Sequence, residues 1–333
     1  MITIGLLGAG RIGAIHAESV LGNASAQLVA VAEPDEKLAT AITKKSGARI
    51  SNIPDILADT SIDAVIIATP TDTHAELIEK AALAGKAIFC EKPVDLDIDR
   101  VRACLKVVAQ TGVPLFVGFN RRFDPSFSDL KTRLPSIGAL ELLCITSRDP
   151  GPPPVAYIQR SGGLFRDMTI HDFDMARWLI GEEIVEIHAM ASNKVDMAIG
   201  QAGDIDTAII NLRSSSGILC QISNSRRASY GYDQRIEAHG SVGMIRADNW
   251  HNNTIEIADN DGYRKAPLLN FFLERYAQAY RRELDSFITS VVQKIIPSPN
   301  GVDGLKALML ADAAAQSYKL GRPIKLEAGQ FNA

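Results

Sequence analysis

The residues best suited to chemistry include an acid–imidazole pair near the middle of the chain. Asp167 and His171 lie four positions apart in the segment that follows Gly162-Gly163. If this segment is helical, the two side chains share one face, and the carboxylate can orient the imidazole and raise its basicity, as a general base requires. The alternative from spacing alone is an acidic first turn with a solvent-facing histidine.

A lysine is the second candidate. Lys92 follows the apolar segment Ala87–Cys90 and precedes Pro93. An ammonium group at the carboxyl end of a strand can stabilise a developing alkoxide, although most lysines are solvated surface residues. Glu91, the preceding residue, is expected beside the same groove. The sequence has no nucleophile elbow, P-loop or metal-ligand spacing, so a redox cofactor must supply much of the chemistry.

A glycine-rich segment indicates which cofactor this is. Gly8, Gly10 and Gly13 form a G-x-G-x-x-G pattern directly after an apolar strand, with Arg11 and Ile12 between them. Gly8 permits a tight turn, Gly10 lets the backbone approach a pyrophosphate, and Gly13 lets the following helix pack on the strand. The segment predicts a dinucleotide site.

An acidic residue at the end of the second strand bears on the choice of dinucleotide. Glu33, 20 residues after Gly13, can accept hydrogen bonds from both ribose hydroxyls and repel a 2′-phosphate, which favours NAD over NADP. Asp35 is the alternative ribose partner, because Glu is longer than the Asp common at this place.

The next strand ends in residues expected to line the cofactor groove. These are Thr69, Pro70 and His74, because ligands of such sheets bind beyond the carboxyl ends of the strands. His74 has an alternative interpretation as a surface residue at a helix start, capped by Thr71 or Asp72.

The first 120 residues alternate short apolar strands with helical stretches, which predicts an α/β Rossmann domain over 1–120. The expected strands are Thr3–Leu7, Gln27–Ala32, Ala64–Ala68, Ala87–Cys90 and Leu115–Gly118. The expected helices are Ile12–Leu21, Glu36–Ser46, Thr73–Ala84 and Ile98–Gln110.

After Arg121 the pattern predicts an α+β domain over 121–333 with a large open, mainly antiparallel sheet. A helical run covers about 164–180, and the tail is helical at Phe271–Val292 and Val302–Leu320, which are candidates to pack back on the first domain. The expected strands are Ala139–Ser147, Ile184–Ser192, Thr207–Ser214, Ile218–Asn224, Gln234–His239 and Met244–Ala247.

Composition narrows the class of protein. The chain has 333 residues, 46% of them hydrophobic, and a net charge of −4, which argues against nucleic-acid and anionic-membrane partners. No apolar run reaches the roughly 20 residues of a membrane span. The N-terminus has no secretory signal pattern, and the four cysteines show no C-x-x-C spacing, so we expect buried thiols in a cytoplasmic enzyme.

The motifs together resemble one family. The glycine-rich segment, Ala68-Thr69-Pro70, Glu91-Lys92-Pro93 and Gly162-Gly163 with Asp167 and His171 are similar to those of the glucose–fructose oxidoreductase/inositol dehydrogenase/rhizopine catabolism superfamily. Longer segments, 118–124, 161–168 and 230–233, resemble bacterial inositol 2-dehydrogenases.

The resemblance implies a fold, an assembly and a reaction. It implies a Rossmann domain, an open antiparallel sheet and a homotetramer assembled through sheet faces. It also implies oxidation of the axial hydroxyl of myo-inositol to 2-keto-myo-inositol (scyllo-inosose) with NAD, in which Lys92, Asp167 and His171 form the catalytic set. The further residues expected at the substrate are Asn120, Arg121, Asp149, Tyr230 and Tyr232.

Two points leave the substrate open. From their residue types, the segments around Asn120-Arg121 and Tyr230-Gly231-Tyr232 either bind sugar hydroxyls or line a sheet edge. In addition, Ser147-Arg148-Asp149 stands where some inositol dehydrogenases have His-Arg-Asn. Another cyclitol or pyranose oxidoreductase is therefore an alternative. A non-catalytic dinucleotide sensor is a second one, although such members typically lose the lysine or histidine that this chain keeps.

Overall fold

The computed structural model describes residues 1–327 and divides into two compact units. Of the described residues, the first unit contains Met1–Phe123 and Ala279–Leu308, and the second contains Asp124–Gln278 and 309–327. Residues 328–333, the end of the second domain expected from the sequence, lie outside the described part.

A six-stranded parallel sheet forms the centre of the first unit. Its strands are β1 (Ile2–Leu7), β2 (Ala26–Ala32), β3 (Arg49–Ile50), β4 (Ala64–Ile67), β5 (Ala87–Cys90) and β6 (Leu115–Val117). The order is β3-β2-β1-β4-β5-β6, and every residue of β4 and β5 is buried, as in sheets covered on both faces. The predicted Rossmann sheet is confirmed, and β3 was missed because its two residues are both exposed.

Helices connect these strands. They are α1 (Arg11–Leu21), α2 (Glu36–Ser46), α3 (Ile53–Ala58), α4 (His74–Leu83) and α5 (Ile98–Thr111), with 3₁₀ turns at Thr71–Thr73 and Asn120–Phe123. Side chains of Asp35, Asn52 and Asp97 accept hydrogen bonds from the first amides of α2, α3 and α5. In contrast, α1 begins after Gly10, which makes no side-chain cap hydrogen bond.

The second unit contains a seven-stranded sheet and a two-stranded ribbon. The strands are β7 (Leu140–Arg148), β8 (Ile184–Ser192), β9 (Thr207–Ser214), β10 (Leu219–Ser225), β11 (Asp233–Gly240), β12 (Gly243–Ala247), β13 (Glu256–Asp259), β14 (Gly262–Lys265) and β15 (Ile324–Lys325). The sheet order is β12-β11-β7-β10-β9-β8-β15, and β13 pairs with β14. The mainly antiparallel sheet is confirmed, with one parallel pair, β7 and β10.

The remaining helices include an interrupted one that carries the acid–imidazole pair. The predicted helix over about 164–180 is a π-helical turn, Phe165–Thr169, followed directly by α8. The helices are α6 (Pro125–Arg133), α7 (Val155–Ser161), α8 (Ile170–Ile180), α9 (Met197–Gln201), α10 (Phe272–Arg275), α11 (Ala277–Gln293) and α12 (Gly301–Leu320), and a 3₁₀ turn covers Leu134–Ile137.

The large sheet has one buried and one exposed face. Along β9, buried and exposed residues alternate, as expected for a sheet that is covered on one side. The exposed side includes the apolar side chains of Met190, Ile209, Leu219 and Met244. Part of this face is therefore apolar surface without a cover within the unit.

Two sequence expectations concern cysteines and membrane spans. Cys90, Cys104 and Cys220 are buried, Cys144 is half-buried, and all four are free thiols. Burial raises the pKa of Cys104 to about 12, so this thiol stays protonated at neutral pH. Among the helices of residues 1–327, none is both long and apolar enough to cross a membrane.

The C-terminal helix α11 completes the core of the first unit. Phe287 is fully buried, and its ring contacts Phe89 of β5 and Phe116 of β6 at centroid distances of 5.7 and 6.0 Å. The rings of Phe89 and Phe116 are themselves stacked at 5.1 Å. The parallel sheet therefore depends on a residue that lies 198 positions after Phe89 and 171 positions after Phe116 in the chain.

We predict that Phe287→Ala destabilises the first unit by about 3–5 kcal/mol, because it removes a fully buried ring and leaves a cavity. Urea unfolding followed by far-UV circular dichroism measures the loss. Val292→Ala, at an exposed position of the same helix, is the control and should change stability by less than about 0.5 kcal/mol. Equal effects of the two variants would contradict this assignment of α11 to the core.

Candidate active site

The glycine-rich turn after β1 has the geometry of a pyrophosphate cradle. Gly8 has a φ of +94°, and a Cβ atom there would lie 2.6 Å from the carbonyl oxygen of Ala68. A Cβ on Gly13 would lie 2.1 Å from the carbonyl oxygen of Gly8, whereas one on Gly10 would meet no atom within 4 Å. Two glycines thus allow tight backbone packing, and Gly10 leaves open space at the N-terminus of α1. Arg11 and Ile12 begin that helix, so the cradle fits an anionic ligand.

The carboxylate of Glu33 is held beside this turn. Its two oxygens accept hydrogen bonds from the amides of Ala9 at 2.7 Å and Asp35 at 3.0 Å. The side chain of Asp35 instead caps α2, where it accepts hydrogen bonds from the amides of Lys37 and Leu38. Of the two acids left open by the sequence, Glu33 has the placement expected of a ribose ligand, and its contact with a ribose remains a prediction.

The turn after β4 is closed by side-chain hydrogen bonds. The hydroxyls of Thr69 and Thr73 lie 2.6 Å apart, and Thr73 also donates to the carbonyl oxygen of Pro70 at 2.7 Å. His74 follows as the first residue of α4 and is 1% exposed. The alternative of a surface histidine is therefore wrong. Its Nδ1 faces the carbonyl oxygen of Pro93 and its Nε2 that of Thr69, each at 2.8 Å, so both ring nitrogens contact the protein backbone.

The turn after β5 carries the candidate lysine. Lys92 is half-buried, and the peptide bond between Lys92 and Pro93 is cis. Oε1 of Glu91 lies 2.7 Å from Nε2 of His16, a fully buried histidine of α1. The predicted contact of Glu91 with the cofactor remains a prediction, since this oxygen contacts another part of the first unit.

The acid of the acid–imidazole pair is fixed by two partners in the second unit. Asp167 lies in the π-helical turn and accepts a hydrogen bond from the hydroxyl of Tyr157 at 2.9 Å. Its other oxygen lies 3.5 Å from Nη1 of Arg226, which is 1% exposed. Nη2 of Arg226 lies 3.8 Å from Oδ2 of Asp204. The buried guanidinium is thus paired with two carboxylates, as a buried charge requires.

Asp204, the second carboxylate beside Arg226, explains why a glycine is needed at position 163. The φ of Gly163 is +81°, and a Cβ atom there would lie 2.5 Å from Oδ1 of Asp204. That same oxygen accepts a hydrogen bond from the amide of Leu164 at 3.1 Å. The glycine therefore permits the approach of Asp204 to the start of the π-helical turn.

A buried polar network supports the segment that contains His171. Asp172 accepts hydrogen bonds from the hydroxyl of Ser147 at 2.5 Å and from Nδ2 of Asn224 at 2.8 Å. Asn224 in turn accepts a hydrogen bond from Thr169 at 2.7 Å. His171 itself is half-buried. The network joins β7 and β10 to the junction of the π-helical turn and α8, and so fixes the backbone on either side of His171.

The other expected substrate residues are placed in different surroundings. Tyr230 is 52% exposed, and its hydroxyl donates to Asp233 at 2.7 Å and accepts from Arg148 at 2.9 Å. Tyr232 is buried, with its ring against Tyr276 at 6.0 Å, which is a packing role. Asp149 is half-buried just after β7.

Burial would raise the pKa of Asp233, but hydrogen bonds from Arg235, Asn249 and Tyr230 outweigh it and lower the pKa below its usual value. Burial and the hydrogen bond to Asp233 raise the pKa of Tyr230. The phenol therefore stays protonated at neutral pH and remains a hydrogen-bond donor.

The expected site residues fall into the two units. The structure brings the cofactor candidates together at one edge of the parallel sheet, in the turns after β1, β2, β4 and β5. Asn120 and Arg121 are buried in the same unit, in the 3₁₀ turn after β6. Asp149, Asp167, His171, Tyr230 and Tyr232 belong to the second unit.

Arg226 belongs to the polar segment 225–233, for which the sequence left open a role in binding sugar hydroxyls or in lining a sheet edge; the structure pairs it with Asp167. The signal that identifies it is the alternation along β10, where Cys220, Ile222 and Asn224 are buried. Arg226 continues that series and Arg227 does not, so the strand period distinguishes the two arginines.

Comparison with known proteins agrees with this architecture. The Gfo/Idh/MocA oxidoreductase family with NAD-binding Rossmann fold matches residues 2–119, and the Gfo/Idh/MocA C-terminal domain matches residues 135–246. An inositol 2-dehydrogenase of Rhizobium meliloti (strain 1021) is 56% identical over 98% of this chain and 99% of its own length.

Solved structures are similar over nearly the whole chain. The structure of a myo-inositol dehydrogenase from Corynebacterium glutamicum has a TM-score of 0.94 and 44% identity, covering 98% of this chain and 99% of that one. That of a scyllo-inositol dehydrogenase from Lactobacillus casei, with NAD(H) and scyllo-inositol bound, has a TM-score of 0.91 and 30% identity, covering 98% and 99%. From the matched domains and the full-length identity, the chain belongs to the Gfo/Idh/MocA family of oxidoreductases, in which the N-terminal domain is an NAD-binding Rossmann fold.

Proposed function

We propose that this chain oxidises the axial hydroxyl of myo-inositol to give 2-keto-myo-inositol. The observation that carries the proposal is the 56% identity to an inositol 2-dehydrogenase over 98% of this chain and 99% of the relative. Oxidation removes a hydride from the carbinol carbon and a proton from its hydroxyl. NAD, when bound, supplies the acceptor for the hydride.

The residues of the first unit that would hold NAD are those at the carboxyl edge of the parallel sheet. The turn of Gly8 and Gly10 and the N-terminus of α1 offer backbone amide donors to the pyrophosphate. Glu33, already oriented by the amides of Ala9 and Asp35, offers its carboxylate to the ribose hydroxyls. Thr69 and Pro70 line the neighbouring turn.

The remaining chemistry is assigned to three side chains. His171 accepts the hydroxyl proton as general base. Asp167, whose negative charge is paired with Arg226, supports the imidazolium that forms. Lys92 donates a hydrogen bond to the reacting oxygen and stabilises its developing negative charge. These roles rest on the chemistry of the residues and on their match to the motifs of the family.

A second candidate substrate is scyllo-inositol. It is favoured by the similarity to the Lactobacillus casei enzyme, whose structure contains scyllo-inositol. The chain also has Ser147-Arg148-Asp149 at the end of β7, so its polyol contacts differ from those of enzymes with His-Arg-Asn at this place.

We further propose a homotetramer assembled through the exposed face of the seven-stranded sheet, and a cytoplasmic location. The exposed apolar side chains of Met190, Ile209, Leu219 and Met244 support the first, because apolar patches on sheets commonly mark interfaces. The four free thiols fit a reducing compartment.

The proposed activity is tested by steady-state rates with myo-inositol, scyllo-inositol and glucose, each with NAD and with NADP. We expect NADH formation to be fastest with myo-inositol and NAD. Rapid turnover of glucose together with no turnover of either inositol would contradict the proposal. A higher kcat/KM for scyllo-inositol would select the second candidate.

We predict that Lys92→Ala lowers kcat by more than about tenfold, because each 1.36 kcal/mol of lost transition-state stabilisation corresponds to a factor of ten. NADH formation measures the effect. Lys80→Ala, at an exposed position of α4, is the matched control and should leave kcat unchanged. An unchanged kcat in Lys92→Ala would remove Lys92 from the mechanism.

We predict that Glu33→Ala weakens NAD binding and raises the ratio of NADP to NAD activity, because it removes the carboxylate that binds the ribose diol and repels a 2′-phosphate. Asp35→Asn is the matched control, since asparagine still caps α2 but carries no charge. A changed ratio in Asp35→Asn alone would assign the selectivity to Asp35.

A further inference from the structure

We propose that His16 and His74 are positioning residues for Lys92, each holding one of its two chain neighbours against another element that borders the cofactor groove: helix α1 for His16 and the turn after β4 for His74. Glu91 and Pro93 are the two neighbours of Lys92, and each contacts one of these histidines. The inference rests on the role of Lys92 in the proposed function and concerns the first unit alone.

His74 joins the turn after β5 to the turn after β4. Its Nδ1 lies 2.8 Å from the carbonyl oxygen of Pro93, and its Nε2 lies 2.8 Å from that of Thr69. Carbonyl oxygens only accept, so a neutral ring donates to one of them and an imidazolium to both. In either state the ring, 1% exposed, occupies the space between the two turns and keeps them at a fixed separation.

His16 joins the same turn to the helix that follows the glycine-rich segment. It is fully buried on α1, and its Nε2 lies 2.7 Å from Oε1 of Glu91. The ring is held by edge contacts with Phe89 at 4.7 Å and with Tyr280 at 5.8 Å. A Cβ atom on Gly118 would lie 3.1 Å from the same Oε1. The carboxylate of Glu91 is therefore confined on several sides.

A second buried carboxyl group, that of Glu283, lies beside the contact between His16 and Glu91. Glu283 of α11 is fully buried, and neither of its carboxylate oxygens has a hydrogen-bond partner among residues 1–327. Burial and the negative charge of Glu91 raise the pKa of Glu283 well above its usual value. Burial therefore favours the neutral form of Glu283, and Glu91 is the carboxylate of the two that contacts His16.

The contact between His16 and Glu91 is a hydrogen bond and not half of a metal site. Ligand atoms of His16, Glu91 and Glu283 all lie within 4.8 Å of one another, a cluster that resembles a set of metal ligands. However, Nε2 of His16 and Oε1 of Glu91 are 2.7 Å apart, closer than the about 3.3 Å that separates ligands of a tetrahedral zinc ion. The cluster as it stands connects α1, the turn of Lys92 and α11.

The two histidine contacts should affect catalysis because they act on the residues directly next to Lys92 in the chain. Lys92 is bonded directly to both held residues, so displacement of either neighbour moves its backbone. A displacement of about 1 Å at a reacting group can lower a rate by about a hundredfold. Loss of either contact should therefore lower kcat at least about tenfold and alter the polyol KM much less.

Asparagine and glutamine substitutions test the proposal with opposite expectations at the two positions. The amide nitrogen of asparagine reaches the place of histidine Nδ1, and that of glutamine reaches the place of Nε2. His74→Asn keeps the donor to Pro93, whereas His74→Gln keeps only the one to Thr69. His16→Gln keeps the donor to Glu91, and His16→Asn loses it. We expect kcat to be retained in His74→Asn and His16→Gln and to fall at least about tenfold in His74→Gln and His16→Asn.

Because asparagine should be tolerated at position 74 and glutamine at position 16, the test distinguishes a positioning role from a general effect on stability. A merely structural role would rank asparagine and glutamine alike at both positions, or would follow the melting temperature of each variant, which is measured alongside. The same ranking at both positions, or an unchanged kcat in all four variants, would overturn the proposal. Loss of activity in all four at unchanged melting temperature would also overturn it, since the retained donor would then have no effect.

A readout without turnover keeps this test separate from the proposed function. Reductive ¹³C-methylation of the NADH-bound chain gives one NMR signal for Lys92, assigned by its absence in Lys92→Arg. We expect that signal to shift in His74→Gln and His16→Asn and to stay in place in the other two variants. A wild-type chain that oxidises no inositol but shows this pattern would refute the proposed function and support the positioning role. An unmoved signal in all four variants would refute the positioning role.

Discussion

The first unit depends on a row of backbone hydrogen bonds that continues one residue beyond the strands of its sheet. After β1, β4, β5 and β6, the first amide donates to the last carbonyl oxygen of the neighbouring strand. The four bonds are Gly8 to Ala32 at 2.9 Å, Ala68 to Leu7 at 2.8 Å, Glu91 to Ile67 at 3.0 Å and Gly118 to Cys90 at 2.8 Å. They bring the turns so close that Gly8 has no room for a side chain beside Ala68. Glu33, His16 and His74 then add side-chain contacts between turns that the sheet has already placed together.

In the second unit, the position of the candidate residue Asp167 depends on a buried charge, that of Arg226. Arg226 is almost fully buried, and leaving its guanidinium without a counter-ion would cost several kcal/mol. Asp167 and Asp204 provide that counter-charge. Asp167 therefore cannot be changed for activity without an effect on the stability of the unit. Its π-helical turn is consistent with this constraint, since such turns occur frequently at functional sites.

Periodicity predicted the two large sheets and most of their strands, because runs such as Ala64–Ile67 are apolar and buried at every position. It missed β3 and β15, whose two residues each are too few to show a period. It also missed the ribbon of β13 and β14, whose residues are almost all exposed and show no buried face. Periodicity could not reveal the π-helical turn, because hydrogen bonds between residues five apart instead of four apart require no particular residue types.

The sequence could not choose between Glu33 and Asp35 as the ribose ligand. However, Asp35 directly precedes Glu36, the first residue of α2, and aspartate is a preferred residue at this cap position. The burial of His74 had no local signal, because its partners are backbone atoms five and 19 positions away.

The division of the chain into two units also bears on where substrate selectivity lies. In the first unit, the turns after β1, β2 and β4 suit a dinucleotide, and Lys92 is assigned to the reacting oxygen, which every substrate of this reaction shares. In the second unit, Ser147 is engaged with Asp172 beneath α8, whereas Arg148 contacts Tyr230. Successive residues of a strand face opposite sides. The amide of Asp149 continues the ladder by donating to Ser225 at 2.9 Å. The alternation therefore assigns Asp149 to the side of Ser147 and α8, the helix of His171, and this supports the prediction that Asp149 contacts the polyol. At the predicted contact, the carboxylate of Asp149 would accept hydrogen bonds from polyol hydroxyls and donate none, whereas the asparagine of a His-Arg-Asn triplet can do both.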